Sequence, residues 1–159
     1  MQELQTKQVI QITVNDQRKE IYVRNSNTLL DTLREQLGLM GAKPGCKNGD
    51  CGSCTVLIDG VPINACHILS VETVGYKVTT IEGLVDQSIQ QEFIKNWAIQ
   101  CGYCSPGFIL NGYALVSNNP DADDSVIDEW LESNICRCTG YQEIKEAVKS
   151  VLSLGKKNS

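Results

Sequence analysis

The feature that most limits what this chain can become is the placement of its cysteines. Residues 44–56 read PGCKNGDCGSCTV, three thiols and three glycines in one short polar loop. With Cys66 beyond it, the first set is C-x4-C-x2-C-x11-C through Cys46, Cys51, Cys54 and Cys66. A second set pairs C-x2-C at Cys101 and Cys104 with C-x-C at Cys136 and Cys138. The N-terminal stretch MQELQTKQVIQITVN lacks the charged-then-apolar profile of a secretory signal, so a cytoplasmic location is expected. In that compartment clustered cysteines serve metals or redox centres more often than disulfides.

The first spacing is that of plant-type ferredoxins, in which a loop of three thiolates and one distant thiolate hold a [2Fe–2S] cluster. A loop that reaches two irons must curl tightly, and Gly45, Gly49 and Gly52 can supply the backbone torsions. The curl also turns peptide N–H groups toward an anionic sulfur core, which helps set its potential. The second set is a weaker signal on its own. Cys101 and Cys104 precede Pro106, a first-turn residue, and Cys136 and Cys138 precede a helix opening near Gly140. Two helix N-termini would then face one anionic group. A zinc site could use the same four thiolates. Rieske ligation needs two histidines, and the chain has only His67, which reads as a capping or surface residue.

The elements around the two sets differ in kind. QVIQITVN and KEIYVR, with a polar turn at Asn15 and Asp16, predict a hairpin that carries Ile21 and Val23 on one face. NTLLDTLREQLGL predicts a helix with Leu29, Leu30, Leu33 and Leu37 on one stripe and Gly38 as its C-cap. CTVLIDGVPI reads as a second hairpin around Asp59-Gly60, and YKVTTIEGL as a further strand. A sheet crossed by one helix is a β-grasp arrangement. From about residue 88 the pattern is helical. Ile89, Phe93 and Trp97 fall at helical spacing, and helices are expected over PGFILNGYALVSNN, DDSVIDEWLESN and GYQEIKEAVKSVLSL. The fold class is therefore α+β, a β-grasp domain over 1–82 followed by a four-helix bundle over 83–159. The boundary lies near Glu82–Gln87, with no long linker. Trp97, Phe108, Tyr113 and Trp130 are assigned to helix cores.

Charge narrows the partners. The net charge is −5, and residues 81–159 carry eleven acidic against six basic residues, whereas 1–80 carry eight of each. With no basic stripe, nucleic acid is not an expected partner, and no apolar run reaches membrane length.

Three strings, GCKNGDCGSC, QCGYCSPG and NICRCTGY, together resemble the small iron–sulfur subunit of the molybdenum hydroxylases, the xanthine dehydrogenase and aldehyde oxidoreductase family. The likeness runs from the first hairpin to the last helix. It implies two [2Fe–2S] clusters, one in a ferredoxin-like β-grasp domain on Cys46, Cys51, Cys54 and Cys66, the other in a helical domain on Cys101, Cys104, Cys136 and Cys138. It implies no catalytic residue here. A large partner subunit would bind molybdopterin and oxidise substrate, a purine such as xanthine being the expected one. A medium subunit would usually hold the FAD that receives the electrons. Gln100 and Cys138 would touch the pterin, and the assembly would be a hetero-oligomer such as a dimer of heterotrimers. The rival expectations are a free two-cluster ferredoxin and a zinc-stabilised interaction module.

Overall fold

The computed structural model describes residues 7–157, so the outer ends of the two expected domains, 1–6 and 158–159, lie outside the described residues. The first hairpin pairs β1 (Lys7–Val14) with β2 (Gln17–Arg24), Ile10 opposite Ile21. Asn15 and Asp16 both have positive φ, 51° and 59°, the geometry that matches a two-residue turn to strand twist. Alternation places Ile10, Ile12, Val14, Ile21 and Val23 in the core and turns Val9 outward. The second hairpin joins β3 (Thr55–Ile58) to β4 (Val61–Asn64) through Asp59 and Gly60, at φ 48° and 84°. Short β5 (Lys77–Thr79) then slots between the hairpins, parallel to β1 and antiparallel to β3. The strand order is β2-β1-β5-β3-β4, the mixed sheet of a β-grasp.

The crossing helix differs from its expected form. Thr28 caps α1 (Leu29–Asp31), accepting from the Asp31 N–H at 3.1 Å, but the chain then widens into a π-helical stretch over Thr32–Gln36. Leu29, Leu30 and Leu33 are buried as the stripe predicts, while Leu37 and Leu39 both pack at its edge. The wide turn closes through N–H groups of Leu37 and Leu39 donating to Thr32 and Leu33 carbonyls, at 3.2 and 2.8 Å. A regular α-helix would have carried one of these two leucines off the core, so packing overrides the local period.

Four helices complete the chain: α2 (Ser88–Lys95), α3 (Ser105–Asn118), α4 (Asp124–Leu131) and α5 (Gln142–Lys157). Asp123 caps α4, accepting from Ser125 and Val126 N–H groups at 3.0 Å each. Phe93, Phe108, Leu110, Leu115, Ile127, Ile144 and Val148 form a second core, with Trp130 and Tyr113 partly buried at its margin. Trp97 departs from its expected core position. Helix α2 stops at Lys95, Trp97 takes a left-handed backbone (φ 57°), and its side chain is 82 % exposed. Ala98 takes the core position instead, its N–H donating to Phe93 C=O at 2.9 Å. No helix of the described residues is long and apolar enough to cross a membrane.

The halves meet along α3, which packs on β3 and β4, and Leu57 of β3 belongs to the helical core. The approach is backbone-close. A Cβ on Gly107 would stand 2.2 Å from the Gly52 carbonyl oxygen, and neither main chain can yield. Gly107→Ala is therefore expected to cost about 1–3 kcal/mol of folding stability, read as a lower midpoint in urea denaturation of the purified protein.

Candidate metal centres

The first set is built on the loop that leads into β3. Gly49 and Gly52 take left-handed backbone, φ 89° and 65°, as does Lys47 at 61°. Gly45 is needed for space rather than torsion, since a Cβ there would lie 2.5 Å from Cys51 Sγ. The curl points amides inward: Asn48 and Cys51 N–H groups donate to Cys46 Sγ at 3.5 and 3.4 Å. Led by the Asn48 amide, these donors lower the Cys46 pKa to about 7. Cys54, by contrast, is buried, and burial pushes its thiol up to about 12. Cys66 meets Cys54 from the far side of the second hairpin, where the Ala65 N–H donates to Cys54 C=O at 3.2 Å. His67 is exposed, with its ring beside Gly49.

The second set sits where a helix end meets a loop. Cys104 is the N-cap residue of α3, with Pro106 in the first turn, and Phe108 N–H donates to its carbonyl at 3.2 Å. Cys136 and Cys138 precede α5 by a short turn, so both expected helix ends are present. Cys136 Sγ accepts from Cys138 N–H at 3.4 Å, Thr139 N–H at 3.4 Å and Thr139 Oγ1 at 3.1 Å. Burial alone would raise its pKa, but the Thr139 hydroxyl and amides hold it below the ordinary thiol value. Burial, helped by contact with Cys136, pushes Cys104 up to about 12.

Within each set the thiols meet as two pairs. Cys46 contacts Cys51, and Cys54 contacts Cys66. Cys101 and Cys138 stand 3.6 Å apart, and Cys104 contacts Cys136. A mononuclear zinc site needs four ligands around a single point. A diiron cluster distributes four thiolates over two irons, two to each, and the paired thiols with inward amides fit it. In the second set Cys101 and Cys138 are exposed, and Gln100 lies exposed beside Cys101, whereas Cys136 is buried.

The two sets are joined by a polar seam that sequence reasoning missed. Ile135 N–H donates to Cys51 C=O at 3.0 Å, so a cysteine of the first set shares one backbone hydrogen bond with the residue next to Cys136 of the second. Asn134, 3 % exposed, donates to Gly52 C=O at 2.9 Å. Its own carbonyl accepts from Asn111 Nδ2 at 3.1 Å and from Ser133 Oγ at 2.9 Å. Asn111 is buried in α3, where an amide among Phe108, Leu110 and Leu115 was the only signal the sequence offered. In the metal-free chain, iodoacetamide at pH 7.5 is expected to label Cys46 first, with Cys54 and Cys104 slower by roughly a hundredfold or more. Cys46 labelling should slow about tenfold for each pH unit below 7, as its thiolate is lost; peptide mapping by mass spectrometry reads both.

The chain is similar to known proteins. Residues 12–73 match the model of the 2Fe-2S iron-sulfur cluster binding domain, and residues 80–149 match that of the [2Fe-2S] binding domain. The nicotinate dehydrogenase small FeS subunit of Eubacterium barkeri is 40 % identical over 88 % of this chain and 92 % of its own length. A probable xanthine dehydrogenase subunit of Bacillus subtilis is 38 % identical over 96 % of this chain and 92 % of its own. Among solved structures, a chain of quinoline 2-oxidoreductase from Pseudomonas putida 86 superposes with a TM-score of 0.89. It is 35 % identical, and the match covers 96 % of this chain and 98 % of that one. Two [2Fe–2S] domains in this order, matched nearly end to end by subunits of oxidoreductases, make the chain a member of the small iron–sulfur subunits of the molybdenum hydroxylase family.

Proposed function

We propose that the chain is the electron-transfer subunit of a molybdenum hydroxylase, with Cys46, Cys51, Cys54 and Cys66 holding one [2Fe–2S] cluster and Cys101, Cys104, Cys136 and Cys138 the other. The observation that carries this reading is the pair of four-thiol sets tied by the Cys51–Ile135 backbone bond. Each cluster supplies storage for one electron at a time. The protein's part is to hold the thiolates, aim amides at the sulfurs and fix the separation of the two sets. We divide the chain into domains at 1–82 and 83–159; the two hydrophobic cores, each gathered around one set, support this, with Leu57 and Ile81 crossing into the helical one.

Exposure supports the orientation. The helical set presents Cys101 and Cys138 to solvent, with exposed Gln100 and Tyr103 flanking Cys101 within two residues in the chain. In this reading that rim faces the large molybdopterin-binding subunit. The amide of Gln100 can donate and accept toward a pterin edge, with Cys138 beside it. The β-grasp set then faces the acceptor, FAD in a medium subunit, within a cytoplasmic hetero-oligomer such as a dimer of heterotrimers. For the substrate we retain a purine such as xanthine, within a wider class of nitrogen heteroaromatics. The similar proteins named for nicotinate, xanthine and quinoline support that class.

The complex, purified anaerobically, should contain about four irons per copy of this chain and show two paramagnetic species on reduction. Cys51→Ser should abolish one species and reduce turnover with the flavin-side acceptor at least about a hundredfold, leaving the other species reducible by substrate. Colourless, zinc-loaded protein, or unchanged turnover in Cys51→Ser, would overturn the reading.

A further inference from the structure

We propose that Lys43 sets the electron balance between the two thiol sets, its ammonium group favouring added negative charge on the helical-domain set. The inference rests on the proposed reading that both sets carry clusters.

Lys43 belongs by backbone to the first set and by side chain to the second. Its N–H donates to Ser53 C=O at 2.9 Å, and Ser53 lies between Cys51 and Cys54. The side chain leaves that loop, donates to Gly41 C=O at 3.0 Å and brings Nζ to 5.7 Å from the ring centroid of Tyr103. Tyr103 stands between Cys101 and Cys104, so the cation is seated on the loop of the helical set.

The seat is built, not incidental. Arg34 Nη1 donates to the Met40 and Ala42 carbonyls at 3.1 and 2.8 Å, pinning the chain ahead of Lys43. Glu82 Oε1 accepts from Gly41 N–H at 2.7 Å while its Oε2 accepts from Thr80 Oγ1 at 2.6 Å. Burial draws the Lys43 ammonium below its ordinary value, against the pull of Glu82, with Arg34 acting in the same sense as burial and Cys104 opposing it. A half-buried charge is screened less than a surface lysine. A reduced cluster is one unit more negative than an oxidised one. A fixed cation therefore favours the reduced form and raises the potential of the nearer cluster.

The test is a redox titration followed by electron paramagnetic resonance, on the purified complex carrying wild-type chain, Lys43→Met or Lys43→Arg. With methionine, the helical cluster's share of a single electron, relative to the β-grasp cluster, should fall about three- to tenfold, tenfold being about 59 mV for a one-electron couple. Arginine, which keeps the charge, should stay within about twofold of wild type. Should methionine cost either cluster its signal, Tyr103→Leu carries the test. It keeps the charge but removes its seat, and a shift of about twofold in the same direction is expected. Two intact signals with unchanged midpoints in Lys43→Met, or in Tyr103→Leu where that variant decides, would overturn the proposal. A wild-type complex without two cluster signals would instead refute the cluster reading beneath it.

Discussion

The structure depends on one carbonyl. Gly52 C=O, between two cysteines of the first set, accepts from Thr55 N–H at 3.1 Å, Thr55 Oγ1 at 2.7 Å and Asn134 Nδ2 at 2.9 Å. The last donor belongs to the helical half and neighbours the Ile135–Cys136 segment. An unpaired amide or carbonyl buried at this depth costs about 1–3 kcal/mol, so each half holds the other to one geometry. A side chain at either Gly52 or Gly107 would hold the halves apart there, and both positions are glycine. A polar network of this kind, fully satisfied, specifies position more sharply than an apolar contact, because it has direction as well as area.

That rigidity suits anionic sulfur. Cys46 and Cys136 are surrounded by N–H donors that favour thiolate, while at buried Cys54 and half-buried Cys104 desolvation disfavours an unmetalled thiolate. Each set thus combines amides that stabilise negative charge with a dry interior that magnifies it. The fold places the dry thiols against the two cores and leaves Cys101 and Cys138 at the surface.

Much of this was legible in the sequence, and the exceptions share a cause. Strands with alternating residues, such as Ile10–Ile12–Val14, and the α5 stripe of Ile144, Val148, Val151 and Leu152 were readable because one period dominates each. The C-x4-C-x2-C loop and the C-x2-C and C-x-C pairs were readable because those spacings are local. The Thr32–Gln36 distortion was not, because two leucines compete for one core and only packing decides. Trp97 misled because helical spacing continues past Lys95 although the backbone does not. Asn111 and Asn134 lie 23 residues apart and find each other only in the folded chain. Nothing local marks such a pair. Lys43 was equally silent, since its importance comes from Tyr103, sixty residues downstream in the sequence.

The bridge between Cys51 and Ile135 is made of main-chain atoms alone. Every amino acid but proline at 135 offers the same N–H, and any residue offers the same C=O. Substitution of the side chains along this bridge therefore leaves the separation of the two cysteine sets unaltered. If the proposed clusters sit on these sets, their spacing is fixed by atoms that almost any sequence supplies, while the outer surface stays open to change.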